Sequence, residues 1–181
     1  GKLTTYVEMA NLPTTGSCIS NVELREFKSG TKFRNGDTLL ARITPCLENG
    51  KTAYVDILND GEVAYGSTEY IVIRVKEPLP KFYSYILARN EHFREHAIRS
   101  MTGTSGRQRA QADMVASYEV VMPSKDVALA FSEKCQNLFS KIRCNASENK
   151  TLAELRETLL PKLLSGKIRV KDAEHEVEAA V

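Results

Sequence analysis

Residues 126–160, DVALAFSEKCQNLFSKIRCNASENKTLAELRETLL, contain neither glycine nor proline. Steps of four and three residues place Phe131, Cys135, Leu138, Ile142, Asn145, Asn149, Leu152, Arg156 and Leu159 on one seam, the spacing of a strand of a coiled coil. At about 1.5 Å per residue such a helix extends about 52 Å, more than a domain made of residues 1–125 needs to cover its own core. The seam therefore asks for a partner helix, with a long surface helix folded back on its own domain as the other open reading. Asn145 and Asn149 interrupt the apolar stripe, and polar seam positions fix register or partner choice at some loss of stability.

Before this helix the texture is different. TTYVEMANL (4–12), DTLLARIT (37–44), KTAYVDIL (51–58), EVAYGS (62–67) and EYIVIRV (69–75) are short and β-rich, and the turn signals NGD (35–37), ENG (48–50) and NDG (59–61) separate several of them. A compact, largely antiparallel sheet is predicted. Pro78 and Pro80 introduce FYSYILARNEHFREHAIRSM (82–101), in which Phe82, Ile86, Phe93 and Ala97 share a helical face. YEVVMP (118–123) reads as one more buried strand, ended by Pro123. The expected fold class is α+β, with a β-rich head and packed helix over 1–123. The long coiled-coil-forming helix and its C-terminal segment follow over 124–170. Residues 171–181, with Asp172, Glu174, Glu176 and Glu178 after the last basic side chain, form an expected solvated acidic tail.

The totals fit a globular chain of 181 residues, 42% hydrophobic and 27% charged. No apolar run approaches the roughly 18 residues of a membrane span, and no signal-peptide pattern opens the sequence, so a cytoplasmic protein without membrane partners is expected. Cys18, Cys46, Cys135 and Cys144 form no C-x-x-C pair and read as reduced thiols, with no structural zinc and no cofactor expected. The net charge is only +2. Residues 126–181 hold nine basic and nine acidic side chains, so the whole excess lies in residues 1–125.

One segment concentrates that excess. MTGTSGRQRAQADM (101–114) follows the predicted helix, and no acidic residue lies between Glu95 and Asp113, whereas Arg99, Arg107 and Arg109 do. An anion is the natural guest. A Walker loop requires Gly-Lys-Ser or Gly-Lys-Thr after its last glycine, but Arg107-Gln108-Arg109 follows Gly106. The Gly103-Thr104-Ser105-Gly106 clamp of a KH domain would sit between apolar helices, and Arg107 to Gln111 is polar. The chemistry that survives is nucleic-acid contact. Thr104 and Ser105 suit phosphate, Arg107 and Arg109 suit guanine O6/N7, and Gln108 and Gln111 suit adenine N6/N7. Arg42, Thr44, Asn49, Lys51, Ser67 and Thr68 are further candidates for phosphate or base contact. For Arg42 and Lys51 a solvated strand edge is the competing assignment, and for Asn49 a plain turn. His92, Glu95 and His96 match H-x-x-E-H, an inverted-zincin pattern, but no third ligand follows, and the surrounding arginines suit a solvated helix face. No other catalytic constellation assembles, and a non-enzymatic chain is expected.

FRNGDTLLARITPCLENGKTAYV (33–55), GSTEYIVIRV (66–75), the TGTSGRQR loop, the run ending in MP, and LAELRETLLPKLLSGKIRV (152–170) together resemble the specificity subunits of type I restriction-modification enzymes. The resemblance covers one target-recognition domain and its conserved long helix. It implies a non-catalytic reader of double-stranded DNA. Such subunits carry two recognition domains, each reading half of a bipartite target, and two long helices that pair antiparallel as a ruler. They dock methyltransferase subunits that carry adenine methylation, and a restriction or motor subunit joins through the complex. Here there is one domain and one helix, starting at Gly1. A domain excised from a longer subunit and a half-length subunit that dimerises through its helix are the two expectations, Gly1 favouring a fragment. The competing class is a coiled-coil interaction module that binds no DNA.

Overall fold

In the computed structural model, residues 3–178 are described. Two compact units divide the chain, Gly1–Cys135 and Gln136–Val181.

The first unit contains two sheets where one was predicted. β1 (Leu3–Val7), β2 (Glu23–Glu26), β3 (Thr31–Phe33) and β6 (Ala64–Gly66) form a four-stranded sheet in the order β2-β1-β6-β3. β4 (Thr38–Ala41), β5 (Thr52–Tyr54) and β7 (Tyr70–Ile73) form a three-stranded sheet in the order β5-β4-β7. All pairings are antiparallel except β1 with β6, where Tyr6 faces Tyr65 and Val7 faces Gly66. The division follows from burial. Every residue of β4 is buried, and alternation along the strand sends Leu39 into one apolar cluster and Leu40 into another. The first cluster joins Leu39 to Val7, Phe33, Ala53, Val55 and Tyr70. The second joins Leu40 to Leu47, Ala88, Phe93, Ala97, Ala110 and Val115 on the helical side. Glycine is required where the sheet connections come close: a Cβ on Gly30, at φ +140°, would strike the Gly66 carbonyl.

β1 is shorter than the predicted strand, because Met9–Asn11 winds into a 3-10 turn. The predicted helix over 82–101 is two helices, α1 (Tyr83–Arg89) and α2 (Glu91–Arg99). Asn90 separates them in an extended conformation at φ −64° and ψ 134°, and its side chain accepts the Phe93 N–H as the cap of α2. Phe93 and Ala97 are buried as the periodicity predicts, but Ile86 is exposed. A short helix α3 (Ala112–Ala116) follows.

YEVVMP is not a buried strand. Residues 119–123 join no strand, and Val121 is 92% exposed. Three apolar residues before a proline satisfy a strand pattern, but burial also needs a neighbouring strand.

α4 (Lys125–Leu164) is the long helix, 40 residues in one piece, or about 60 Å. Ser124 caps its start, its Oγ accepting the Val127 N–H. Its end is a Schellman closure: Lys167 N–H donates to the Lys162 carbonyl at 2.9 Å and Gly166 N–H to the Leu163 carbonyl at 3.1 Å, with Gly166 at φ +70°. In the second unit α5 (Val170–Glu178) takes the place of an open acidic tail. Ala173 is buried, and Val170, Ala173 and Val177 line one apolar groove with Leu152, Leu155, Leu159 and Leu163. The last three residues of the predicted tail lie outside the described residues.

Candidate functional site

The basic loop is a hairpin pinned at its base. Thr102 and Arg109 exchange backbone hydrogen bonds of 3.1 and 2.9 Å. Inside this closing pair, Gly103 at φ +126° and Gly106 at φ +79° carry the backbone round the tip, and Arg107 N–H donates to the Thr104 carbonyl at 3.0 Å.

The returning arm of the hairpin lies along the end of β4. Thr44 N–H donates to the Gln108 carbonyl at 3.0 Å, Ala110 N–H to the Arg42 carbonyl at 2.8 Å, and Ile43 bridges Arg109 between them. Arg42 N–H in turn donates to the Glu69 carbonyl at 3.0 Å. Three segments far apart in sequence, 42–44, 67–69 and 102–111, therefore meet at one place.

Their side chains divide sharply. Arg109 is taken up by Glu69: Nε donates to both carboxylate oxygens at 2.9 Å and Nη2 to Oε1 at 2.7 Å. The Arg109 guanidinium holds the Glu69 carboxyl below its ordinary value, with a smaller pull from Arg42. Gln111 faces inward, its Nε2 donating to Thr102 Oγ1 at 2.7 Å and to the Arg109 carbonyl at 3.1 Å. Arg107, Thr104 and Ser105 are exposed, and no side-chain contact engages them among the described residues. Gln108 is half-buried at the foot of the tip. Arg42 Nε and Thr44 Oγ1 are buried without a hydrogen-bond partner among the described residues.

The remaining candidates lie at varied distances from this centre. Ser67 Oγ accepts the Glu69 N–H at 3.1 Å, so it shapes the turn into β7, while Thr68 is exposed. The ITPCLENGK segment is a helical turn: Asn49 N–H donates to the Pro45 carbonyl and Lys51 N–H to the Cys46 carbonyl, both at 2.9 Å. Asn49 is exposed on that turn, and Lys51 Nζ is bound to the Met9 carbonyl at 2.8 Å. Arg89, which sequence reasoning did not select, fastens the same region by donating to the carbonyls of Thr14 and Gly50 at 2.7 and 2.8 Å. His96 contacts the Met114 carbonyl at 2.6 Å and Tyr118 edge-on, and His92 is exposed. No group of three His, Cys, Asp or Glu suited to a metal occurs among the described residues.

On the helix seam, Leu138 is 62% exposed, and Phe131, Ile142, Asn145, Asn149 and Leu152 are also exposed. Cys135 and Leu159 are buried within the chain, and burial pushes the Cys135 thiol up. Glu69 is the residue that sequence reading missed. The only signal was an acidic side chain beside Ser67 and Thr68, and its partner lies forty residues on. No helix among the described residues is long and apolar enough to cross a membrane.

Fold and site define an α+β head that presents a pinned basic loop and continues into a long helix. Comparison with known proteins gives that class its relatives. Over 148 residues, 76% of this chain, the sequence is 31% identical to the EcoEI specificity subunit, a type I restriction enzyme component of Escherichia coli. It is 29% identical over 102 residues to the HindI specificity subunit of Haemophilus influenzae and 34% identical over 87 residues to the EcoAI specificity subunit of Escherichia coli. These matches cover 56% and 47% of the chain. No family model matches. Among solved structures, the HsdS subunit from Thermoanaerobacter tengcongensis shares the fold at a TM-score of 0.60 and 19% identity, over 88% of this chain and 41% of that one. A chain from work on assembly and conformational transition of the type I restriction-modification system does so at 0.56 and 19%, over 88% and 43%. In sequence the chain is similar to part of the type I restriction enzyme specificity subunits. It spans about a quarter or less of the length of the curated relatives it matches.

Proposed function

We propose that this chain reads one half of a bipartite double-stranded DNA target for a type I restriction-modification complex, without catalysis of its own. The observation that carries the reading is the hairpin 102–109. Its base is fixed by backbone pairing to residues 42–44, while Arg107 stands exposed and unengaged at its tip. A rigid support with a free cationic donor suits DNA contact, since phosphate bonds set the register and base-edge bonds supply sequence. α4 then pairs through Phe131, Leu138, Ile142 and Leu152 with the helix of a second recognition domain or a second copy, spacing the two half-sites. Methyltransferase subunits dock on the assembled subunit, the restriction or motor subunit joins through the complex, and the whole works in the cytoplasm.

The test is duplex binding by the chain over a range of salt, followed by selection from a random duplex pool. Neutralising each phosphate releases counterions, so log K should fall with log salt at a slope of about −0.9 per phosphate contacted, and selection should enrich one short motif. Absence of salt-dependent binding at low ionic strength overturns the reading and leaves assembly through α4 as the function of the chain.

A further inference from the structure

We infer that Glu69 is a positioning residue for the DNA-reading hairpin, and that Arg109 serves as an internal strut to it while Arg107 makes the contact with DNA. The inference rests on the DNA-reading function proposed above and divides the labour inside its site. By sequence Arg107 and Arg109 are equivalent, two arginines flanking one glutamine on an acid-free loop. By structure they are not.

The Nε–Nη2 edge of Arg109 is the edge that closes on the Glu69 carboxylate, at 2.9 and 2.7 Å. Its Nη1 turns back to the Arg107 carbonyl at 3.4 Å. A guanidinium so placed has its charge cancelled at contact distance, and the same carboxylate repels an approaching phosphate. What Arg109 does hold is geometry. Its backbone closes the hairpin on Thr102 and lies against Ile43, and its side chain fastens both to the start of β7. Glu69 is itself fixed at its backbone, its carbonyl accepting Arg42 N–H and its N–H bonding Ser67 Oγ. The carboxylate is thus a rigid post, three-quarters buried. The base of the hairpin is anchored to the segment after β4 through the backbone of Gln108 and Ala110 and to the start of β7 through the Arg109 side chain, which fixes the direction in which Arg107 leaves the surface.

The inference is tested on the full chain with four variants, Arg107→Gln, Arg109→Gln, Glu69→Gln and the charge exchange Glu69→Arg/Arg109→Glu, each measured two ways. Hydrogen exchange at the amides of Thr102 and Arg109 reads the hairpin itself, and duplex affinity against salt reads the DNA contact. Arg109→Gln and Glu69→Gln should each speed exchange at those amides and weaken duplex binding by roughly tenfold. Arg109→Gln should leave the salt slope unchanged, because Arg109 neutralises no phosphate. Arg107→Gln should leave exchange unchanged. The charge exchange should restore protection and, with it, affinity and the selected motif.

A lower salt slope in Arg109→Gln, or a charge exchange that restores protection but not the selected motif, overturns the inference by placing Arg109 on the DNA. If Glu69 and Arg109 are too crowded for the exchange to fold, Arg109→Lys decides. A strut without its planar fork should lose amide protection at Thr102, and retention of full protection sinks the strut. No salt-dependent duplex binding by the parent chain, with exchange still controlled by Glu69, defeats the DNA reading and leaves the strut standing.

Discussion

Asp37 and Arg74 form a two-pronged ion pair at the end of the three-stranded sheet, Nε to Oδ1 at 2.6 Å and Nη2 to Oδ2 at 2.7 Å. The carboxylate is 1% exposed and the arginine 48%. Asp37 Oδ2 also accepts the Arg34 N–H at 2.8 Å, so one acid closes the turn before β4 and ties it to the residue that follows β7. The pair raises the Arg74 guanidinium above its ordinary value.

Replacement of Asp37 by alanine should therefore destabilise the head. Breaking a buried pair costs about 3–5 kcal/mol when the remaining charge stays buried. Arg74 can turn to water, so about 2–3 kcal/mol is expected, most of it from the orphaned Arg34 N–H and the emptied site. Urea unfolding followed by circular dichroism should show a lower midpoint at unchanged slope. Asp37→Asn, which can still accept the Arg34 N–H, should recover part of the loss. An unchanged midpoint in the alanine variant would contradict the role given to this pair.

Asn90 offers a smaller and separate effect. Its side chain caps α2 by accepting the Phe93 N–H at 3.2 Å, and removal of such a cap costs about 1 kcal/mol. Asn90→Ala should lower thermal stability by that amount, while Asn90→Asp, still an acceptor and favourably charged at a helix start, should hold it. Equal loss in both variants would show that the cap is not what Asn90 contributes.

How much of this could be read beforehand depended on range. Alternation and turn residues are local, and β4, β5, β6 and β7 fall within the predicted runs. The long helix follows from a stretch without glycine or proline, and α4 runs unbroken through it. β2 was invisible, because its residues Glu23–Glu26 are all exposed and leave no apolar alternation. The split into two sheets depends on Leu39 and Leu40 facing different cores, which the strand sequence alone does not state. Within the site, the neighbourhood of 42–44 with 108–110 rests on long-range backbone bonds, and the fate of Arg109 hangs on Glu69, a partner forty positions away. Charge counting saw three arginines there. Geometry leaves Arg107 as the loop's exposed and unengaged one.

The Glu69–Arg109 pair also predicts a pH dependence. The folded protein depresses the Glu69 carboxyl below its ordinary value of 4.5, so the unfolded chain binds the proton more readily than the folded one. The stabilisation is fully present above 4.5 and is lost as pH falls through the lower folded value. Protection factors at Thr102 and Arg109 should hold from neutral pH to about pH 5 and decline below it. In Glu69→Gln they should be low and flat across the same window. A parent profile without an acid decline would remove the pair as the fastening of the hairpin.

The exposed seam of α4 predicts association. Leu138 and Leu152 are 62% and 41% exposed, and neither lies in either apolar cluster of the head. Leu138→Glu and Leu152→Glu should leave the unfolding of the head unchanged, while each places a charge in a helix–helix contact. Sedimentation at rising concentration should show self-association of the parent and its loss in both variants. A parent that stays monomeric throughout would show that a different chain supplies the second helix, or that none is needed.

Arg107 carries the sharpest prediction about sequence. A side chain that reads a guanine edge through two hydrogen bonds discriminates by about 1–3 kcal/mol, or roughly five- to 150-fold, at one position of the target. A side chain that holds phosphate weakens every sequence alike and lowers the salt slope by about one contact. Arg107→Ala separates the two in a single experiment, because the same selected duplex and its single-base variants are titrated against parent and mutant. With the hairpin fixed by its backbone pairing and by Glu69, the substitution leaves the neighbouring contacts in place, so a change at one base position is attributable to Arg107 itself. Relaxed preference at one position is the expected result, Gln108 retaining its own. Uniform weakening would move Arg107 to the phosphate backbone and make Gln108 the loop's remaining base reader. Unchanged affinity for every duplex would take the hairpin out of the interface altogether.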